Sequence, residues 1–225
     1  MIILIMGMTL LLPPLFSQFK MIVNAQPYNA IVVGKGYKCV SKFVFDGDTL
    51  KLDFKGFEFT ARLQWIDTPE TQNFRKSTEP AMLKHWAWAE RAKTALMDLV
   101  YQKSIIAVPL EKDRFDRWVC DCYINRISAA NNIQIQLCKA GLAVSYLPFG
   151  RHDFINRELV LLRGVLTETA NANRKKIGIW SEPDFILPAD FKKLPYPSKP
   201  EIPSKPEIPS KVEILPYPFP TKPQI

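Results

Sequence analysis

The chain has 225 residues and a formal charge of +8, from 30 Lys and Arg against 22 Asp and Glu. That length fits one medium domain with appendages, and an apolar content of 47% supplies a core of ordinary size. The basic balance calls for an acidic partner and leaves nucleic acid, an anionic membrane surface and acidic polysaccharide open, while four cysteines without a C-x-x-C pair and only two histidines argue against a structural zinc site.

Ile2 to Phe16 is an apolar run interrupted by Gly7, Thr9 and Pro13-Pro14. It is too short and too broken to span a bilayer comfortably. Val23-Asn24-Ala25 then offers small or apolar residues where a signal peptidase reads, so residues 1–25 read as a secretory signal, with an uncleaved anchor as the alternative. The expected location is outside the cytoplasm.

Residues 28–188 read as the folded domain. Lys38 to Phe45 and Leu50 to Phe54 alternate as strands around an Asp-Gly turn, and Phe57 to Ile66 is a third strand. Ala81 to Val100 has helical spacing, with Ala89, Ala92, Leu96 and Leu99 on its apolar face. Ile105 to Leu110 and Trp118 to Ile127 are further strands. Gln134 to Ala140 is a short helix, and Asn156 to Lys175 a long one, with Leu159, Leu162, Leu166 and Ala170 as its expected core stripe. Strands first, with helices between and after them, describe an α+β domain: a small barrel capped by about three helices. Cys120 and Cys122 share a strand face and read as small buried thiols, along with Cys39 and Cys138; export would also permit a disulfide. From 189 to 225 the composition changes. Lys199-Pro-Glu-Ile-Pro-Ser204 repeats as Lys205-Pro-Glu-Ile-Pro-Ser210 and decays at Lys211. Proline at this density favours an extended, polyproline-like spacer.

Three blocks carry possible chemistry. Asp46-Gly47-Asp48-Thr49 is first a hairpin turn, yet its crowded carboxylates could ligate a hard cation. Arg62 precedes Asp67-Thr68-Pro69-Glu70, where Pro69 disfavours helical geometry at Thr68. Asp113-Arg114-Phe115-Asp116-Arg117 lies before a strand, and a guanidinium there could grip a phosphate with paired hydrogen bonds.

Together and in this order, the blocks resemble the staphylococcal nuclease family: a D-G-D-T turn, an arginine shortly before D-T-P-E, and a D-(aromatic)-x-R segment. Gly141-Leu142-Ala143 with Tyr146, and Gly178-Ile179-Trp180-Ser181-Glu182, extend the resemblance over roughly Lys35 to Glu182. It implies a five-stranded OB-type barrel and a Ca²⁺-dependent nuclease acting on DNA and RNA as a monomer. Products would carry 3′-phosphate and 5′-hydroxyl ends. By matching position, Asp48 and Asp67 would ligate calcium through carboxylates and Thr68 through its carbonyl, with Asp46 behind them. Glu70 would activate water, Arg62 and Arg117 would hold the phosphate, and Tyr146 would pack near the nucleotide. Phe115 stands where the family often has tyrosine. The alternative is a nucleic-acid-binding OB module without catalysis, against which the intact Asp48, Arg62, Asp67, Glu70 and Arg117 weigh. No histidine is required by this scheme.

Overall fold

The computed structural model describes residues 31–72, 77–147 and 153–194. The expected signal at 1–25 and the proline repeats from Lys199 onward lie outside these residues.

Five strands form a closed barrel: β1 (Tyr37–Val44), β2 (Thr49–Phe54), β3 (Phe57–Leu63), β5 (Ile105–Lys112) and β6 (Trp118–Ile124). The short strands β4 (Ile66–Asp67) and β7 (Val144–Ser145) pair outside it. The barrel order is β1-β2-β3-β6-β5, with β5 returning to β1. All of its pairs are antiparallel except β3 with β6. Closure removes the exposed edges that a five-stranded open sheet would leave. Pro109, which lacks an N–H to donate, sits at a register shift in β5.

Helix α1 (Pro80–Val100) joins β4 to β5, α2 (Ile133–Lys139) follows β6, α3 (Asn156–Arg174) follows β7, and the one-turn α4 (Pro188–Phe191) comes last. Local chemistry sets their ends. Pro80 opens α1, where its missing N–H is harmless. The Asn132 side chain accepts from Ile135 N at 2.9 Å to cap α2. The Glu158 carboxylate accepts from Ile155 N at 3.1 Å at the start of α3.

Leu50, Leu52, Ala61, Leu63, Ile105, Ala107, Cys120 and Cys122 fill the barrel, and Leu96, Leu137, Leu161 and Val165 press helices onto it. A second, smaller cluster joins Met82 and Trp86 of α1 to Phe191, with Ile186 against them. Packing therefore continues past the expected domain end at 188. All four cysteines are buried free thiols. Burial pushes Cys39 and Cys138 up to about 12, so they are inert at neutral pH.

Two expectations are corrected. Of the expected α3 stripe of Leu159, Leu162, Leu166 and Ala170, only Leu162 packs against the core, partly buried. Leu161, Val165 and Ala172 face the core, together with Glu158, while Leu159, Leu166 and Ala170 are exposed. The third strand also does not run unbroken to Ile66. It stops at Leu63, and Trp65 takes a left-handed φ of 59° before β4 begins. A bulky residue there is a strained position that surrounding contacts must hold. The ring of Trp65 packs edge-on against Phe154, and its carbonyl accepts from Tyr146 N at 2.8 Å.

Candidate active site

Strand register gathers the three sequence blocks. Thr49 pairs with Arg62 across β2 and β3, and Leu63 N donates to Asp48 O at 2.8 Å. The parallel pairing of β3 with β6 sets Ala61 beside Trp118, which brings the loop ending at Arg117 alongside Thr49. Gly47 lets the turn sit close to its neighbours. A Cβ there would meet Ala92 Cβ and Thr68 Oγ1 at 2.8 Å, so the glycine is needed for space.

The polar groups form one chain of contacts. Arg62 bridges two buried carboxylates: Nη1 lies 2.8 Å from Asp48 Oδ2 and Nη2 lies 3.0 Å from Asp67 Oδ1. Asp48 Oδ2 also accepts from Thr68 N and Thr68 Oγ1, each at 3.1 Å, and its Oδ1 accepts from Thr49 Oγ1 at 3.0 Å. Arg117 Nη1 reaches Thr49 Oγ1 at 3.4 Å, while Asp113 holds the guanidinium at 2.7 and 2.8 Å. Asp46 supports the turn, its Oδ1 accepting from Asp48 N at 3.0 Å. Tyr146 is tied through its backbone to Trp65, but its side chain is 57% exposed.

Two further residues enter that the sequence blocks do not contain. Lys192, just after α4, places Nζ 2.7 and 2.8 Å from the two Asp67 oxygens and 3.1 Å from Glu70 Oε1. His85, fully buried on α1, accepts from Glu70 N at 2.8 Å through Nε2, and its Nδ1 lies 3.1 Å from Ile186 O. A carbonyl on one side and an N–H on the other fix the neutral tautomer protonated at Nδ1. The His85 ring stacks on Phe191, with centroids 3.5 Å apart and planes 4° apart. His85 was discoverable, since it lies four residues before Ala89 on the buried face of α1. Nothing near Lys192 in the sequence marks it.

The charges explain one another. Burial, then repulsion from Asp48, pushes Asp46 up to about 7. Burial raises Asp67 despite the opposing pull of Lys192 and Arg62. For Arg62 burial opposes the charged form, but Asp48, Asp67, Asp46 and Glu70 outweigh it and raise the guanidinium. Four carboxylates (Asp46, Asp48, Asp67 and Glu70) thus face two cations, Arg62 and Lys192, leaving an excess of negative charge.

The carboxylates gathered here are of the donor type that a hard divalent cation takes. Every candidate ligand atom is oxygen, as calcium requires. Among the described residues no three His, Cys, Asp or Glu side chains form a ready metal cluster. Two carboxylates and a carbonyl would therefore leave several positions to water and phosphate oxygens, a coordination that calcium tolerates.

Comparison with known proteins decides the ancestry. A profile described as staphylococcal nuclease homologue matches residues 60–182. The chain belongs to the staphylococcal nuclease family. Among relatives, an uncharacterized endonuclease of Haemophilus influenzae is 30% identical over 151 residues, covering 67% of this chain and 70% of that protein. Endonuclease Htp3 of Saprolegnia parasitica is 28% identical over 209 residues, covering 83% and 91%. A probable endonuclease LCL3 of Phaeosphaeria nodorum is 24% identical, but the chain spans only 43% of its length. The matched span holds Arg62, Asp67, Glu70 and Arg117. It begins after the Asp46–Thr49 turn, which enters the site through strand pairing.

Proposed function

We propose that the protein is a calcium-dependent endonuclease that hydrolyses phosphodiester bonds in DNA and RNA. The observation that carries this is the Arg62 bridge between two buried carboxylates, with Glu70 beside it. Family membership and relatives bearing the name endonuclease support the same reading.

Asp48, Asp67 and the Thr68 carbonyl would hold the cation, with Asp46 steadying the turn behind them. Bound calcium would supply fixed positive charge beside the phosphate. Arg62 and Arg117 bind phosphate oxygens and stabilise the extra negative charge of the transition state, preorganised and shielded from water. Arg62 is already held by its carboxylates, whereas Arg117, 28% exposed, exchanges part of its Asp113 pairing for the phosphate. Glu70 accepts a proton from the attacking water. Water oxygen joins phosphorus, the bond to the 5′ oxygen breaks, and that oxygen is protonated on leaving. The products are a 3′-phosphate and a 5′-hydroxyl. Tyr146, exposed next to Ser145 of β7, packs against the bound nucleotide.

The test is incubation of purified full-length protein with plasmid and with RNA, in calcium or in excess chelator, followed by end-group mapping. Cleavage in calcium alone is expected. Undiminished cleavage in chelator sinks the calcium requirement. Binding without cleavage under both conditions identifies a non-catalytic module instead. We also place the protein outside the cytoplasm as a monomer, tested by the N-terminus of the mature chain and by sedimentation. Among the described residues no helix is long and apolar enough to cross a membrane.

A further inference from the structure

The segment after the barrel is built to deliver one charge. Phe191 is fully buried and stacks on His85. Phe185 also stacks on that ring and Ile186 O meets His85 Nδ1, so the same ring is gripped three times by this segment. Its other nitrogen receives Glu70 N, which ties the segment's docking to the backbone of the Asp67–Glu70 block. Lys192 follows directly, its backbone N donating to Asp190 O and Pro188 O in the last turn of α4.

The ammonium lies almost equally far from the two Asp67 oxygens, at 2.7 and 2.8 Å, and touches Glu70 as well. A hard cation ligated by Asp67 would sit about 2.3–2.6 Å from the same oxygens. Two positive charges on that face repel strongly in a buried setting. Lys192 can yield, because its side chain is 44% exposed while Asp67 is 2% exposed. A flexible four-carbon stem can swing toward solvent with Phe191 still docked.

We propose that Lys192 is a tethered competitor of the divalent cation: it closes the Asp67–Glu70 face, and calcium must displace it to bind. This rests on the oxygen-ligand site described above and adds a residue that sets the calcium concentration at which it fills. Competition for one carboxylate is a negative coupling, and coupling between two ligands typically spans about 5–150-fold.

The test is calcium binding by calorimetry on the full chain without nucleic acid, comparing wild type, Lys192→Met and Lys192→Arg. Lys192→Met should bind calcium about tenfold more tightly, while Lys192→Arg, which keeps the charge, stays within about threefold of wild type. A second measurement needs no variant. Acylation of Lys192 by an amine-reactive ester, mapped by mass spectrometry, should rise when wild type is saturated with calcium. Equal or weaker calcium affinity in Lys192→Met overturns the proposal and leaves the site reading standing, and so does labelling that calcium does not change. Failure of every form to bind calcium overturns both together.

Discussion

Arg62 neutralises two buried carboxylates at once, so replacing it should reduce stability as well as turnover. Its side chain is only 15% exposed. Arg62→Lys keeps a charge but cannot reach both Asp48 and Asp67 with one planar fork. It should cut at least about a hundredfold more slowly, the scale of one lost oxyanion donor. Arg62→Gln should also lose about 3–5 kcal/mol in denaturant unfolding, as when one partner of a buried pair is removed. Glu70→Gln and Arg117→Lys should fall about a hundredfold in rate too. Their side chains are 33% and 28% exposed, so their unfolding should shift by no more than about 1 kcal/mol. Initial rates on single-stranded DNA in saturating calcium, beside denaturant curves, check all four. Near wild-type rates in the three conservative variants would remove the catalytic assignment. The acids and arginines that the fold brings together stood out because three blocks in one order resemble the family's, each block alone being weak. His85 and Lys192 act across separations of 15 and 125 residues: helical spacing marks His85 as buried but not what it touches, and nothing marks Lys192.

Elements were legible where periodicity was clean and misread where a tertiary contact overrode it. On α3 the leucines at 159 and 166 suggested the buried stripe, but the face is chosen by what α2 and β6 present. Gly164 lies where a Cβ would meet Ile135 at 2.3 Å, and Arg157 Nε reaches back to Asp121 Oδ2 at 2.9 Å. Asp121 is fully buried on β6, and Gln64, with its amide turned to donate to it, shares the contact. Burial, partly offset by Arg157, lifts its carboxyl from 3.8 to about 6. The folded state therefore holds this proton more tightly than the unfolded chain. The group's contribution grows as pH falls from 6 toward 4 and is absent well above 6. Asp121→Asn cannot titrate. The stability difference between wild type and Asp121→Asn should therefore move in favour of wild type from pH 7 to pH 4.5, by about 2 kcal/mol. A pH-independent difference would contradict the assignment. The loop contacts offer a second check. Gly141 has φ +66°, and a Cβ on it would meet Ile177 O at 2.2 Å, whereas Gly56 at φ +85° has nothing within 4 Å. Gly56→Ala should cost about 1 kcal/mol from backbone strain alone. Gly141→Ala should cost at least about 3 kcal/mol, because rigid backbone must also move. Similar midpoints for the two variants would show that the Ile177 backbone gives way easily.

At the scale of the whole molecule, the barrel was legible because alternating strands, an Asp-Gly turn and helical stripes each carry their own local signal. Its boundary was not. Composition changes at the proline repeats, so residues from 189 onward read as spacer, but Phe191 is buried against His85 and Lys192 reaches Asp67. A four-residue overlap (189–192) between the packed domain and a proline-rich stretch has no compositional mark. Two truncations separate the packed part from the rest. Ending the chain after Leu194 keeps every contact described here, so its melting temperature and its rate on DNA should match the full chain closely. Ending it after Asp184 removes Ile186, Phe191 and Lys192. It strips the stack from His85, leaves His85 Nδ1 without Ile186 O, and uncovers Met82 and Trp86. Loss of a buried phenylalanine alone typically costs about 3–5 kcal/mol, which should appear as a melt lower by several degrees in excess chelator. Restoring residues 185–194 with Phe191→Ala should recover only part of it, since the Ile186 and Phe185 contacts return without the Phe191 ring. A shorter chain that melts with the full-length protein would show that the barrel is complete without this segment and that α4 merely rests on it.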